Sequence, residues 1–559
     1  MSLDFIIFIF FYFFAIFSAL GYGLIIEKFF KIEKYNLNIG FIGLVGVLFL
    51  ITYSYASNYI FSHDLYHNVI FNILGIIFFI FYINNKKKEF IVLLIIFTVL
   101  LISFFLFKTH DDFPYYHFPY TYHITQNSTV FGLGELNHGF KTPSSIFFLN
   151  SLFYLPIIKY NLFQIGATLI YGFSILILLL DIKKNLKLKE IDPIFFLRLF
   201  SLAFILVFFY RVQEHGTDRS AQILSLLFVI EIFNLKKNYI NFNLFLSKTI
   251  ILLTLIIGLK LFFLLYLVFI LPLIYYLIKD LKLNLLKNLL NNKFFYLSLL
   301  SFIFYIFIYF ANTGCLFFPV SFSCFENFSW SIDVDRVNAY KLHYENWSKA
   351  GSGAGYENAD PLNYVKFFNW LPNWIDKYFF NKVSDFILGI IFLVILFICF
   401  FCRKKNEINK NIFEYKFFYM IIIILFLEWF YNHPALRYGG YSIIALLFFI
   451  PFSYFINKFK SLDKIYTKVI SIIIISFLVF IFRNVVRIDK EVKQYKYDMF
   501  NKPYYYLDQS HFRIQKTMDA LIINYKNCQI NDSTCITTEG ENRIIEKFGK
   551  YIITRKNVK

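Results

Sequence analysis

The chain has 559 residues, 58% of them hydrophobic and only 16% charged, with 79 Phe and 42 Tyr and a mean hydropathy of +0.59. A soluble fold cannot hide that much apolar surface, so soluble multidomain, disordered, collagenous and coiled-coil classes are excluded and a polytopic membrane protein remains. The formal charge of +19 does not point to nucleic acid, because clusters such as Lys86-Lys87-Lys88 and Arg403-Lys404-Lys405 sit in short connections between apolar runs, where orientation signals belong.

Apolar runs of about 16–22 residues mark about 14 transmembrane helices. They lie near 3–26, 38–56, 66–83, 89–107, 161–181, 192–210, 219–235, 243–258, 261–278, 294–311, 385–402, 417–431, 440–457 and 468–483. The first run lacks a basic leader and a small-residue cleavage pattern, so it reads as a span and not as a removable signal. The stretch 243–278 is too long for one crossing and divides at Gly258-Leu259-Lys260. The expected fold class is an all-α polytopic membrane protein.

Alternating the sides separates the connections by charge. The short Lys-rich set is 27–37, 84–88, 182–190, 236–242, 279–293, 403–416 and 458–467, which the positive-inside rule places in the cytoplasm. The other set is 57–65, 108–160, 211–218, 258–260, 312–384, 432–439 and the tail from 484. It holds every long loop. The expectation is a bacterial inner (cytoplasmic) membrane protein with both termini extracytoplasmic. Its parts are a four-span bundle (1–107), an outer loop (108–160), central spans (161–311), a large outer loop (312–384), further spans (385–483) and an outer tail (484–559). Residues 146–158, SIFFLNSLFYLPI, are too short to span and suit a re-entrant or interfacial helix. The tail is polar, small α/β or irregular, with a strand expected at Lys550–Arg555. No internal repeat is visible.

The segment KTHDDFPYYHFPYTYH carries Asp111 and Asp112 within about one helical turn of the membrane surface. An acidic pair there suits a general base on a hydroxyl, with helix capping as the bland alternative. Tyr115, Tyr116, Phe118, Tyr120 and Tyr122 read as interface anchors. His110, His117 and His123 could join the aspartates around a divalent cation, but their spacing is not the i, i+4 pattern, so metal is the lesser reading and no cofactor is assigned. Further on, His138 and Lys141 are phosphate contacts or plain loop polars.

In RVQEHGTDRSAQ, residues 211–222, Arg211, Glu214, His215, Asp218 and Arg219 crowd the end of a span. Thr217 or Asp218 caps the next helix, and the remaining groups suit a phosphate and hydroxyls. Lys260 either snorkels to the headgroups or pairs a phosphate. In NHPALRYGGY, residues 432–441, Pro434 and Gly439-Gly440 shape a loop whose single basic residue, Arg437, suits bidentate phosphate binding. Cys315 with Cys324, and Cys528 with Cys535, are local pairs suited to disulfides on an oxidising side, whereas Cys399 and Cys402 read as buried hydrophobes. The loop 312–384 holds Trp330, Trp347, Trp370 and Trp374 and a GSGAG stretch at 351–355, and reads as a lid lying on the membrane.

HDDFPYYHFPY, NTGCLFFP from Asn312 to Pro319, and Arg437-Tyr438 together resemble the GT-C class of integral-membrane glycosyltransferases, which use polyprenyl-phosphate-linked sugars. The same three segments also look like an uncharacterised bacterial family of multi-pass membrane proteins labelled LIC-type. In the GT-C class the acidic loop usually follows the first span, whereas here it follows the fourth. The resemblance implies a GT-C-like fold and inverting transfer at the extracytoplasmic face, in cell-envelope glycan or glycolipid synthesis. Asp111 or Asp112 would be the catalytic base, and Arg437 with Tyr438, Lys260, and Arg211 or Arg219 would attend the lipid phosphate. The expected partners are a polyprenyl-phosphate-linked sugar, a glycan, lipid or protein acceptor, and the bilayer, with no nucleic acid. The rival readings are a transporter or flippase of a lipid-linked glycan, and a glycan polymerase or ligase.

Overall fold

The computed structural model describes residues 2–31, 37–106, 108–110, 112–235, 242–281, 285–351, 360–402 and 416–501, and the backbone of three strands between 535 and 555. Its first half consists of α1 (Leu3–Phe29), α2 (Ile39–Ile60), α3 (Leu65–Tyr82), α4 (Lys87–Leu101), α5 (Phe118–Gln126), α6 (Ser145–Ser151), α7 (Ile165–Leu188), α8 (Pro193–Phe208) and α9 (Gly216–Phe233). The second half adds α10 (Phe242–Leu259), α11 (Lys293–Thr313), α12 (Val334–Lys349), α13 (Ser384–Phe401), α14 (Lys416–Asn432), α15 (Gly440–Phe459) and α16 (Ile465–Tyr495), with shorter helical turns between them. A three-stranded antiparallel sheet, β1 (Cys535–Ile536), β2 (Asn542–Phe548) and β3 (Lys550–Arg555), follows in the order β1-β2-β3.

Ten helical segments among the described residues are long and apolar enough to cross a membrane, so the chain is a multi-pass membrane protein whose membrane part is all-α. All fourteen apolar runs fall on helix. Pro193–Phe208 and Lys416–Asn432 have 16 and 17 residues, and α9 opens with a charged turn. Leu65–Phe105 forms a single helical stretch of 41 residues, longer than one crossing needs. The 3₁₀ turn Ile83–Lys86 divides it. Gly75 and Phe79 of α3 lie on Gly21 of α1, while Phe97, Phe104 and Phe105 run back along Tyr12, Phe8 and Phe5.

Small residues let the first helices touch backbone to backbone, since a Cβ on Gly21 would lie 1.9 Å from Gly75 O and one on Gly46 2.0 Å from Ala19 O. Side-chain caps start several spans, with Asn38 accepting from Phe41 N at 2.9 Å and Asp192 from Phe195 N at 2.8 Å ahead of Pro193.

The connections sort to two ends of the bundle. At one end Lys86 Nζ donates to Leu37 O at 2.6 Å, Asn38 to Asp181 at 3.1 Å, and Lys460 to Ile191 O. At the other end Asn58 donates to Asn127 O at 2.9 Å, Gly132 N to Ala311 O at 2.7 Å, Ser144 to Leu259 O at 2.7 Å and Trp374 Nε1 to Pro434 O at 2.9 Å. Ser2 bonds Phe500 O there, so the start of α1 meets the end of α16.

Two expectations about the aromatic loop are corrected. Of the two readings of 146–158, re-entrant or interfacial, the interfacial one is corrected: Ile146, Phe147, Phe148 and Leu149 of α6 are all buried in the bundle. Phe118 and Tyr120 are buried as well and are not membrane anchors, because α5 packs inward on α6. Hydropathy alone cannot distinguish an aromatic packed on protein from one packed on lipid.

Candidate functional site

Four charged residues from four separate connections meet in one network. Arg437 spans two carboxylates, its Nε 2.7 Å from Asp218 Oδ2 and its other arm on Asp112 Oδ2. Lys260 takes the remaining oxygen of Asp218 and rests its ammonium 4.0 Å from the centre of the Tyr438 ring. Two cations thus face two anions, and the quartet is electrically balanced. Asp112, Lys260 and Arg437 each keep roughly a quarter of the side chain accessible (24%, 21% and 27%), so the network faces an opening and is not sealed in the core.

Each member is held by local structure that the sequence specifies. The Arg437 turn is fixed by Trp374 on Pro434 O, Trp429 on Ala435 O at 3.0 Å, Leu436 N on the Tyr378 hydroxyl at 2.9 Å and Gln222 on Arg437 O at 3.1 Å. Gly439 closes that turn at φ +100°, a left-handed conformation that costs an L side chain about 1 kcal/mol or more. Asp218 occupies the first turn of α9 behind Gly216, whose φ of +48° and contact with the His117 ring leave no room for a Cβ. Asp112 precedes the π-helical turn Phe113–His117. Lys260 lies at the break between α10 and the 3₁₀ segment Leu261–Phe269.

The charge state of Asp112 follows from its neighbours. Burial pushes its carboxyl up, but Arg437, and after it His110 and His117, outweigh burial and hold it at about 2. Asp112 N donates to His110 Nδ1 at 3.0 Å, which fixes that nitrogen as an acceptor, and burial lowers the pKa of His110. A neutral imidazole therefore stands beside the carboxylate. The Tyr116 hydroxyl also donates to Asp112 Oδ2, at 3.3 Å. Beside His110 lies a small, largely apolar pocket lined by Phe113, Phe147, Phe163 and Val212 together with His117, Asn150, Gln164 and Gln213. His117 Nε2 and both amide atoms of Gln164 have no hydrogen-bond partner there, a lining that suits water or a hydroxyl group.

A second ionic cluster adjoins the first through His110, which feels the charges of Asp218 and Arg219 together. At its centre Glu214 meets Arg487 at 2.8 Å and Arg211 and Arg219 at 3.5 Å each. Arg487 also holds Glu491 at 2.7 Å and Lys108 O at 2.9 Å.

The other expected site residues lie elsewhere. His138 packs 5.3–5.5 Å from Tyr340, His343 and Tyr344 of α12. Lys141 is fully buried beneath the Tyr340 ring with no hydrogen-bond partner. His215 is corrected: it is buried, hydrogen-bonds Phe209 O at 2.7 Å and packs on Tyr171, so it is outside the ionic clusters. Asp218 is corrected from helix cap to central carboxylate. Asp111, Cys528 and the GSGAG stretch beyond Gly351 lie outside the described residues, as does the side chain of Cys535. Cys315 and Cys324 form a disulfide. Trp370 and Trp374 are buried, and Trp347 covers the Arg437 guanidinium at 5.4 Å. Arg336 of the same loop grips Glu135 through two bonds of 2.8 and 3.2 Å. No group of three or more metal-ligating side chains occurs among the described residues.

A family described as a domain of unknown function, DUF8201, matches residues 5–444. The chain belongs to the DUF8201 family. No curated protein and no solved structure matches it. The match takes in all four members of the quartet, while α16 with Arg483 and Arg487 lies beyond it. Those two arginines are what reading the DUF8201 sequence missed, because α16 was expected to end near 483 and instead runs to Tyr495. The signal was present: Arg483, Arg487 and Glu491 recur every four residues, the spacing of one helical face.

Proposed function

We propose that this DUF8201 protein is a membrane glycosyltransferase that moves a sugar from a polyprenyl-phosphate donor to an acceptor hydroxyl, at the end of the bundle holding the quartet. That end corresponds to the extracytoplasmic side by the charge of the loops. The observation that carries the reading is the convergence of Asp112, Asp218, Lys260 and Arg437, drawn from four connections, into one partly accessible ion network.

In this reading Asp112 accepts the proton of the acceptor hydroxyl as its oxygen attacks the anomeric carbon from the face opposite the phosphate. The bond from the anomeric carbon to the phosphate oxygen breaks, its electron pair stays on that oxygen, and Arg437 and Lys260 meet the charge that develops there. A carboxyl held at about 2 is a weak base while Arg437 grips it. An incoming phosphate that shares Arg437 loosens this grip and raises the basicity of Asp112 at the moment it is needed. The unpartnered polar atoms of His117 and Gln164 in the pocket beside His110 mark the side from which a hydroxyl reaches Asp112. The apolar spans give the lipid tail its surroundings.

The test is sugar transfer in membrane vesicles that contain their own lipid-linked donors. Asp112→Asn lowers transfer by about 10²–10⁴-fold while the protein stays inserted at wild-type level. Normal transfer by Asp112→Asn, by Asp111→Asn and by the double variant would remove the aspartates from catalysis.

A further inference from the structure

The cluster around Glu214 carries charge that its own residues do not neutralise. Arg211, Arg219 and Arg487 bond or face Glu214, Arg487 also binds Glu491, and Arg483 lies on the Tyr210 ring at 3.8 Å with one arm on Val207 O at 2.8 Å. Four guanidinium groups against two carboxylates leave an excess of two positive charges. Two of these groups are incompletely satisfied: Arg487 Nη1 is buried without a hydrogen-bond partner, and Arg219 Nη1 is buried with only its 3.5 Å ion pair to Glu214. The phenol of Tyr210, to which Arg211 Nε donates at 2.9 Å, registers the same excess: burial pushes it up, yet Arg211, with Arg483 and Arg487, brings it below its ordinary value.

The surroundings point to a lipid. Arg483 and Arg487 stand where the apolar stretch of α16 gives way to its charged end. Below them Ile474, Ile475, Leu478 and Phe482 are exposed along the helix, a surface suited to acyl or prenyl chains. Arg211 and Arg483 are exposed as well, so the cluster reaches the surface, Arg483 doing so next to Phe482 of that stripe. Planar guanidinium forks are the side chains best matched to phosphate oxygens.

We infer that Arg211, Arg219, Arg483 and Arg487 form a binding site for the head of a lipid phosphate monoester whose tail lies along the exposed face of α16. The spare charge of two matches a dianionic monoester better than the single charge of a phosphodiester, so bulk phospholipid is a weaker ligand. The inference stands on the charge count and does not rest on the transferase reading.

Native mass spectrometry of the full-length protein in detergent tests it with three probes: farnesyl phosphate, phosphatidylglycerol and inorganic phosphate. Wild type binds farnesyl phosphate about tenfold or more tightly than either of the others, a preference of the size one added charge-assisted contact confers. Arg211→Gln and Arg219→Gln each weaken farnesyl phosphate about tenfold, while Lys493→Gln, at an exposed ion pair further along α16, stays within about twofold of wild type. Arg487→Gln also removes the tie to Lys108 O, so the Arg211 and Arg219 variants decide the matter if it misfolds. Wild-type binding by the Arg211 and Arg219 variants overturns the site. Equal binding of phosphatidylglycerol overturns the monoester preference, and equal binding of inorganic phosphate overturns the lipid. If farnesyl phosphate binds as stated and no sugar is transferred in vesicles, only the transferase reading falls.

Discussion

The two ionic clusters lie side by side at one end of the bundle, share His110 as a neighbour, and differ in how their charges close. In the quartet Arg437 and Lys260 are matched charge for charge by Asp112 and Asp218. Around Glu214, four arginines share two carboxylates and leave guanidinium donors over. A balanced network is stable while empty and holds its groups in register until something competes for them. An unbalanced one is improved by an anion. The first arrangement suits groups that must react, and the second suits a group that must hold.

The largest effect expected from breaking this contrast is on chemistry. Asp112→Asn lowers transfer by about 10²–10⁴-fold, the range that a positioned general base supplies. The Asn side chain keeps the shape of the site, so detergent-extracted variant and wild type behave alike in size-exclusion chromatography. Next comes Arg437→Gln, which leaves Asp112 and Asp218 facing each other without their shared cation. Partial exposure softens the penalty, and a loss of about 2 kcal/mol in denaturant unfolding is expected. Adding Asp218→Asn to that variant restores part of the loss, whereas two independent sites would lose more.

The same variant moves a titration. Asp112 has a depressed folded pKa, so its contribution to stability is present at neutral pH and is lost only as pH falls through about 2. Without Arg437, burial is the largest remaining influence, and the carboxyl titrates well above 2. The infrared carboxylate band of the variant against wild type over acid pH shows whether it does. The smallest effect lies in the second cluster: Glu214→Gln raises its excess charge and tightens farnesyl phosphate by about threefold to tenfold.

Much of the fold was legible, because apolar runs of span length read as helices whatever their neighbours are. The site was legible as a set of residues but not as a partnership. Arg437 stood out as a lone cation between Pro434 and Gly439, yet nothing local tells that it meets Asp112 across 325 positions and Asp218 across 219. Asp218 looked like a cap because a carboxylate in the first turn of a helix usually is one. The structure gives α9 no side-chain cap and directs that carboxylate to the loop before α15. His215 was misread for a related reason: an ionisable run draws in every titratable member, while burial decides which of them face each other. Arg487 escaped because a polar helical extension beyond a span has the composition of a tail.

The central claim, that the quartet acts on a lipid-phosphate-linked sugar, is tested most directly by identifying the lipids that remain with the extracted protein, wild type beside Asp112→Asn. Loss of the base stalls the reaction with its donor bound, so the variant is expected to carry more glycosylated polyprenyl phosphate than wild type. Bulk phospholipid alone, in equal amounts on both proteins, would contradict the account.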